Sequence, residues 1–509
     1  MSSNHRYSIR RGNDKRRKRK NNIIAGLIFA AIFIAALILV INLASAGGKK
    51  KDDKSGDTNV ASESTTSGSK DGEDKDADKK DDGNKNSSEG KDGNPAENGD
   101  VISQAEALAV QYDYDGAIKL LEKAEASETN SEISSKIKEL KEKKENLVAT
   151  APQNVTHVFF HSLIVDPKRG FSTTGNSSWD RLTPGFCQWM TTVSEFDKMM
   201  DQMYENGYVL VSLYDMIDIE KDADGTEHIT GKNIYLPEGK IPFVMSIDDV
   251  SYYHSYDGRG GASKMIIGED GKPTCEYIDA EGNTLVGSYD VVPRLDDFLE
   301  KHPDFSYKGA KGTIALTGYN GILGYRTDFC YRDKIEDDLL DDQIAWLKEN
   351  PDFDWEKECE EAKKVAQCIK DDGWTFANHT WGHIRIGDSD MERIQTDTGK
   401  WLERVAPLVG DTDIIIFAHG QDLASWDEDY AETEKFKYLK SKGFSIYCNV
   451  DSTKYFVQIG DQFLRMGRRN LDGLRLWQAV YNDKDYLSDL FDAKTVIDPE
   501  RPTDSSLYQ

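Results

Sequence analysis

Hydrophobic and polar positions divide the chain into four stretches of different character. Residues 23–41 are an unbroken apolar run without a charge. Residues 47–100 are almost entirely Lys, Asp, Gly, Ser, Asn and Glu, with no aromatic residue. Between 101 and 148 apolar positions recur at helical spacing: 105–109, then 117–124 after the turn-like Tyr112-Asp113-Tyr114-Asp115-Gly116, then a charged amphipathic segment at 131–146. From 151 onward short apolar runs alternate with amphipathic segments. Strands are expected at 156–161, 208–211, 241–247, 312–316, 374–377, 414–418 and 444–447. Helices are expected at 194–206, ended by Gly207, and at 290–301, 355–371 and 432–441. Such alternation predicts an α/β fold with a mostly parallel sheet, either open or closed into a barrel. If the sheet closes, the chemistry belongs at the C-terminal ends of its strands.

These stretches predict five parts: a basic cytoplasmic tail (1–22), a transmembrane helix (23–46), a disordered charged linker (47–100), a helical, tetratricopeptide-like spacer (101–150) and a catalytic domain (151–509). As a helix, 19 apolar residues cover about 28 Å, close to the thickness of bilayer hydrocarbon. The cluster Lys15-Arg16-Arg17-Lys18-Arg19-Lys20 ahead of the run places the N-terminus in the cytoplasm and the remainder outside. A cleavable signal ending at Ala44-Ser45-Ala46 is the rival reading, and it also exports the chain. The linker cannot bury enough apolar surface to fold and would span about 40 Å as a coil, a tether toward wall or matrix. One helix pair cannot build a solenoid, so a packing or spacing role is expected for 101–150.

Charge narrows the partners. Residues 1–22 carry nine Lys/Arg against one Asp, so a total of −27 leaves −35 on the rest. Phosphate backbones would be repelled, which argues against nucleic acid and is compatible with a neutral glycan substrate. The six cysteines show no CxxC spacing and suggest neither a zinc knot nor a redox motif.

Candidate chemistry sits where strands end. Asp248-Asp249 follows the run Phe243-Val244-Met245-Ser246-Ile247, and His379-Thr380-Trp381-Gly382-His383 follows Trp374-Thr375-Phe376-Ala377. His419-Gly420 follows Ile414-Ile415-Ile416-Phe417-Ala418. Histidines four apart on a helical turn face one way, and two imidazoles with a carboxylate make a catalytic zinc set with one position open. Adjacent aspartates at a strand end point in different directions, so one can bind a metal while the other accepts a proton.

With these motifs the segment 155–476 resembles the polysaccharide deacetylases of the carbohydrate esterase family four type. Ser246-Ile247-Asp248-Asp249 is similar to that family's first motif, and His379-Thr380-Trp381-Gly382-His383 to its second. Supporting features are Phe160-His161-Ser162, Glu205-Asn206-Gly207-Tyr208 and a closing strand at Phe463-Leu464-Arg465-Met466-Gly467-Arg468-Arg469. The resemblance implies a distorted (β/α) barrel of about seven strands. It implies Asp249, His379 and His383 as ligands of a divalent metal, zinc first, and Asp248 as catalytic base. The implied reaction is hydrolysis of N-acetyl groups on an N-acetylglucosamine-containing polysaccharide of the cell envelope.

The third motif of the family usually carries an arginine and a Pro-Tyr segment. Here Ala418 and His419 stand in place of Pro and Tyr, and no Leu-x-His supplies a catalytic acid near the C-terminus. His419 is the first candidate for that acid and His161 the second. Tyr252, Tyr253 and His254 either line the groove or pack against an insertion, read as a hairpin within 258–287. Two other readings compete with the deacetylase: a catalytically inactive glycan-binding module, and a glycosidase using Asp248 with a second acid.

Overall fold

The computed structural model describes residues 95–126 and 130–509. The basic tail, the apolar run and the linker up to residue 94 lie outside the described residues. Among those described, no helix is long and apolar enough to cross a membrane.

Seven parallel strands close into a barrel: β1 (Thr156–Phe160), β2 (Ile241–Asp248), β3 (Thr313–Leu316), β4 (Thr375–Asn378), β5 (Ile414–Ile416), β6 (Ile446–Val450) and β7 (Phe463–Asn470). Each pairs with the next in chain order, and β7 joins β1 to complete the ring. The short strand Tyr208–Leu210 borders only the first residues of β2, so it stays outside the closed ring. A barrel of about seven strands was the sequence expectation, and this is its form. Between β6 and β7 the connection is an antiparallel strand, Val457–Gly460, rather than a helix.

Period-two alternation explains which side chains face which way. Phe243, Met245 and Ile247 of β2 pack outward among the helices, in one core with Phe196, Met199 and Trp401. Val244 faces inward with Ala315, Ala377, Ile416, Cys448 and Met466. Small residues at 315 and 377 leave room inside a narrow barrel. The helix Val193–Glu205 begins with a capping box, in which Thr192 and Glu195 satisfy each other's backbone N–H groups. It ends at Gly207, whose φ of 81° and 2.9 Å clearance to the Gly239 carbonyl oxygen exclude a β-carbon.

The helices Pro95–Val110, Tyr114–Glu125 and Ser131–Glu145 fold against the N-terminal end of the barrel. The first starts at Pro95, inside the stretch read as linker. Ala117, Leu121 and Leu140 share one core with Val155, Val209 and Met216. Tyr112 Oη donates to the Asp304 carbonyl at 2.8 Å, and the Lys308 amide donates to the Gln111 carbonyl. Burying each such Leu or Ile is worth about 1.5–3 kcal/mol. These helices therefore cap the end of the barrel opposite the strand termini that carry the aspartates and histidines.

The insertion is a three-stranded antiparallel sheet, Ala262–Ile267, Pro273–Ile278 and Thr284–Gly287, where the sequence suggested a hairpin. Met265 and Cys275 anchor it in the outer core. None of its strands reaches the cavity at the mouth of the barrel. All six cysteines are free.

Candidate metal site at the mouth of the barrel

Asp248 is the last residue of β2 and shares the inward parity of Val244 and Ser246. Asp249 follows with a left-handed φ of 62°. The segment after β4 is not a helical turn, as the spacing of its histidines suggested. It is an irregular turn in which Thr380 and His383 are both left-handed, with φ of 62° and 49°. Asp397 clamps it by accepting from the Trp381 and Gly382 amides at 2.8 Å each, and Asn378 Oδ1 accepts from the Thr380 amide at 2.6 Å.

This turn carries both imidazoles to Asp249. His379 Nε2 lies 3.9 Å from Asp249 Oδ1, and His383 Nε2 lies 3.6 Å from Oδ2. One ligand atom from each of the three residues falls within 4.8 Å of the others. A tetrahedral ion with bonds of about 2.0–2.2 Å sets its ligand atoms roughly 3.3–3.6 Å apart, a spacing that the two Asp249–histidine distances approach. His379 Nδ1 meets the Ile416 carbonyl at 2.8 Å. That partner fixes the N–H on Nδ1 and leaves Nε2 free as a donor to metal. Burial lowers the His379 pKa and favours the neutral ring. A buried Asp/His/His group of this kind fits a divalent metal such as zinc.

Asp249 is also bound by Tyr253, whose Oη donates to Oδ1 at 2.6 Å and lies 2.6 Å from Thr317 Oγ1. Tyr252 points the other way and donates to Asp290 at 2.7 Å. Of the two tyrosines, only Tyr253 belongs to the site. Burial pushes the Asp249 pKa up, yet His383, His379 and the Tyr253 hydroxyl together hold it below the usual range.

Asp248 has a different partner. Arg468, on the inward face of β7, donates Nη1 to Oδ1 at 2.7 Å and Nη2 to Oδ2 at 2.9 Å. Its guanidinium lies 4.1 Å from the Phe159 ring centroid. Burial raises the Asp248 pKa, but Arg468 and then His379 outweigh it and hold the carboxyl well below its ordinary value. Beneath this pair His157 Nε2 meets Ser246 Oγ at 3.0 Å, and burial plus Arg468 push the His157 pKa far down. Sequence reasoning missed Arg468 and Asp397. The available signal for Arg468 was an arginine at the same strand parity as Leu464 and Met466, which are buried.

The two candidate acids differ. His419, φ 58°, is exposed and packs its ring 4.3 Å from that of His383; its Nε2 lies 3.1 Å from the His383 carbonyl. His161 lines the same cavity from the end of β1, and its buried Nδ1 has no hydrogen-bond partner. It acts electrostatically on Asp248, Asp249 and the buried Asp472.

The cavity above these groups holds about 620 Å³. One wall carries the aspartates and histidines. The other is apolar: Leu182, Phe186, Trp189 and Met190 from the helix Ser177–Trp189 and its end, with Leu474 beside them. That helix, which carries Pro184 inside it, was not among those expected from the sequence.

No family model matches the chain, and no curated protein matches it. Among solved structures the chain is similar to the Streptococcus pyogenes deacetylase PplD in complex with acetate. The identity is 10%, over 63% of this chain and 92% of that one, with a TM-score of 0.28. A likeness that low carries no argument about the site.

Proposed function

We propose that the protein is a metal-dependent hydrolase that removes N-acetyl groups from an N-acetylglucosamine-containing envelope polysaccharide, and that residues 23–46 anchor it in the membrane with its barrel outside. The observation that carries this reading is the convergence of Asp249, His379 and His383 beside a second, separately held carboxylate, Asp248, in one cavity. A bound divalent metal would polarise the acetyl carbonyl and acidify water. Asp248, fixed by the Arg468 fork, accepts the proton of the attacking water. The C–N bond breaks, acetate leaves, and the amine takes up a proton.

For that last proton His419 and His161 are the two candidates, since both line the cavity. The apolar wall of Phe186, Trp189 and Met190 suits the acetyl methyl group and a sugar face.

One observation favours a second reading, a glycan-binding module without turnover. Both Asp248 oxygens are taken by Arg468, and the carboxyl is held well below the usual range, which weakens it as a base. Acetate release from N-acetylated chitooligosaccharides and peptidoglycan separates the two. It would be measured on the protein as purified, after chelation and after adding zinc back, with Asp248→Asn as control. Metal-restorable acetate that the variant abolishes supports the hydrolase. A folded, metal-loaded protein that releases none refutes it.

A further inference from the structure

We propose that the substrate carries an anionic group, a phosphate or a carboxylate, next to the acetylated ring, and that Arg385 and Arg475 receive it. The proposal deepens the reading of the cavity as a glycan site and rests on it. Both arginines line the same 620 Å³ cavity, but from unrelated elements. Arg385 follows His383 by two residues, and Arg475 sits in the first turn of the helix Gly473–Tyr481.

Charge compensation sets these two apart from the arginines nearby. Around the barrel Arg404, Arg465, Arg468 and Arg469 are tied to Asp328, Asp422, Asp248 and Asp489. Arg259 and Arg326 donate to backbone carbonyls in the interior. The Arg385 guanidinium has no salt bridge or hydrogen bond among the described residues and stands exposed at the mouth. Arg475 is held by neutral groups alone: Nη1 donates to Gln478 Oε1 at 3.0 Å, Nη2 donates to Ser452 Oγ at 2.7 Å, and the guanidinium lies 4.7 Å from the Tyr486 ring centroid. The carboxylate nearest in sequence, Asp472, is buried and accepts from Asn470 and from the Arg475 backbone amide, not from its guanidinium.

A chain of net charge −27 has carboxylates to spare for any surface guanidinium. Two without an ion-paired carboxylate, lining the same mouth and one of them braced, are placed to receive an external anion, although the buried Asp472 lies within electrostatic range of Arg475. The cavity's own carboxylates do not fill that role. Asp248 is matched by Arg468, and Asp249 belongs to the metal set. A guanidinium fork matches the paired oxygens of either a carboxylate or a phosphate. The acidic surroundings would repel an anionic polymer at a distance, so recognition is concentrated at this mouth.

The test is calorimetric binding to the full-length, zinc-loaded protein with three probes: N-acetylglucosamine, N-acetylglucosamine 1-phosphate and N-acetylmuramic acid. Each would be titrated at low and raised salt, against wild type, Arg385→Gln, Arg475→Gln and the double variant. At least one anionic sugar is expected to bind roughly tenfold tighter than the neutral one, a ratio matching a charged hydrogen bond. The ratio should shrink with salt, approach unity in the double variant and persist in part in Arg475→Lys. Preference for the phosphate or the carboxylate sugar identifies the source. Equal binding of all three sugars, or a ratio the double variant leaves unchanged, overturns the proposal and spares the glycan reading. Binding of none overturns both.

Discussion

Replacing Arg468 by Met tests whether the barrel interior is built around a charge pair. The side chains of Arg468 and Asp248 are 0% and 5% exposed, and two short hydrogen bonds join them. Arg468 also donates to Ser246 Oγ at 3.1 Å and to the Asn449 carbonyl at 3.3 Å. Methionine keeps much of the length and packing but supplies no donor. Asp248 would then be a buried carboxylate whose closest cation-forming neighbour is His379, 3.8 Å away and biased by burial toward neutrality. Removing one partner of such a pair costs about 3–5 kcal/mol, a large part of the ~5–15 kcal/mol that holds a typical domain folded. The assay is urea-induced unfolding in the presence of chelator, since a metal that binds only the folded state would add its own stability. Asp248→Asn alone should also be costly, because it strands the guanidinium. The double variant Asp248→Asn/Arg468→Met carries neither charge and should recover much of the loss, with a coupling of about 1–3 kcal/mol. A loss below ~1 kcal/mol for Arg468→Met, or single losses that simply add in the double variant, would refute the reasoning.

Two further outcomes follow from the same geometry. Asp296 shares Lys311 with Asp372, and its Oδ2 is buried without a partner; burial, opposed by Lys311 and aided by Asp372, raises its pKa to about 7. A carboxyl whose pKa is raised on folding contributes stability that is full below its unfolded value, near 4, and is lost as pH rises through about 7. Between those limits the loss approaches about 1.4 kcal/mol for each step of one in pH. Unfolding free energy should therefore fall between those pH values in wild type and flatten in Asp296→Asn; equal slopes would dismiss the assignment. Equilibrium dialysis of zinc should show His379→Ala losing more than the roughly hundredfold expected for an outer-shell partner. His419→Ala, which removes only a contact to the His383 carbonyl and ring, should stay within about tenfold, and equal losses would make His419 a ligand.

The strands and the pairs at their ends were legible because both are local. A short apolar run followed by Asp248-Asp249, or by His379-x-x-x-His383, needs no knowledge of the rest of the chain. Arg468 was not legible, because its role depends on register. β7 sets Arg468 against His157 of β1, and β1 sets His157 against Val244 of β2. Only those two pairings bring the guanidinium under Asp248, and the two residues are 220 positions apart in sequence. The N-terminal helices read as a spacer for a similar reason. Their apolar faces had no visible partner, and the partner is the end of a barrel assembled from residues 155 to 466. The third strand of the insertion, Thr284–Gly287, is mostly exposed and gave no burial pattern to find.

Two adjacent aspartates at a strand end ought to face opposite sides of the sheet, which is why different jobs were expected of them. The structure keeps the different jobs but brings both carboxylates to one cavity. Asp248 points inward as its place in β2 dictates. Asp249 leaves the strand with a left-handed φ, and its amide donates to the Ala315 carbonyl at 3.2 Å, so the chain turns across the top of β3. Thr380, His383 and His419 adopt the same left-handed conformation within this site. Each costs about 1–2 kcal/mol for a residue with a β-carbon. Aspartate and histidine tolerate this region better than most residues, which leaves Thr380, β-branched, as the most strained of the four. What holds them there is local and specific: Asp397 on the two amides of the turn, Asn378 on Thr380, and Tyr253 on Asp249. Strain on two of the three candidate ligands, Asp249 and His383, and on their neighbours, braced by hydrogen bonds from the layer behind, is what a preorganised metal site requires. Spacing alone anticipated that the two imidazoles converge but not how: the i, i+4 separation suggested a helical turn, and an irregular turn brings them together instead.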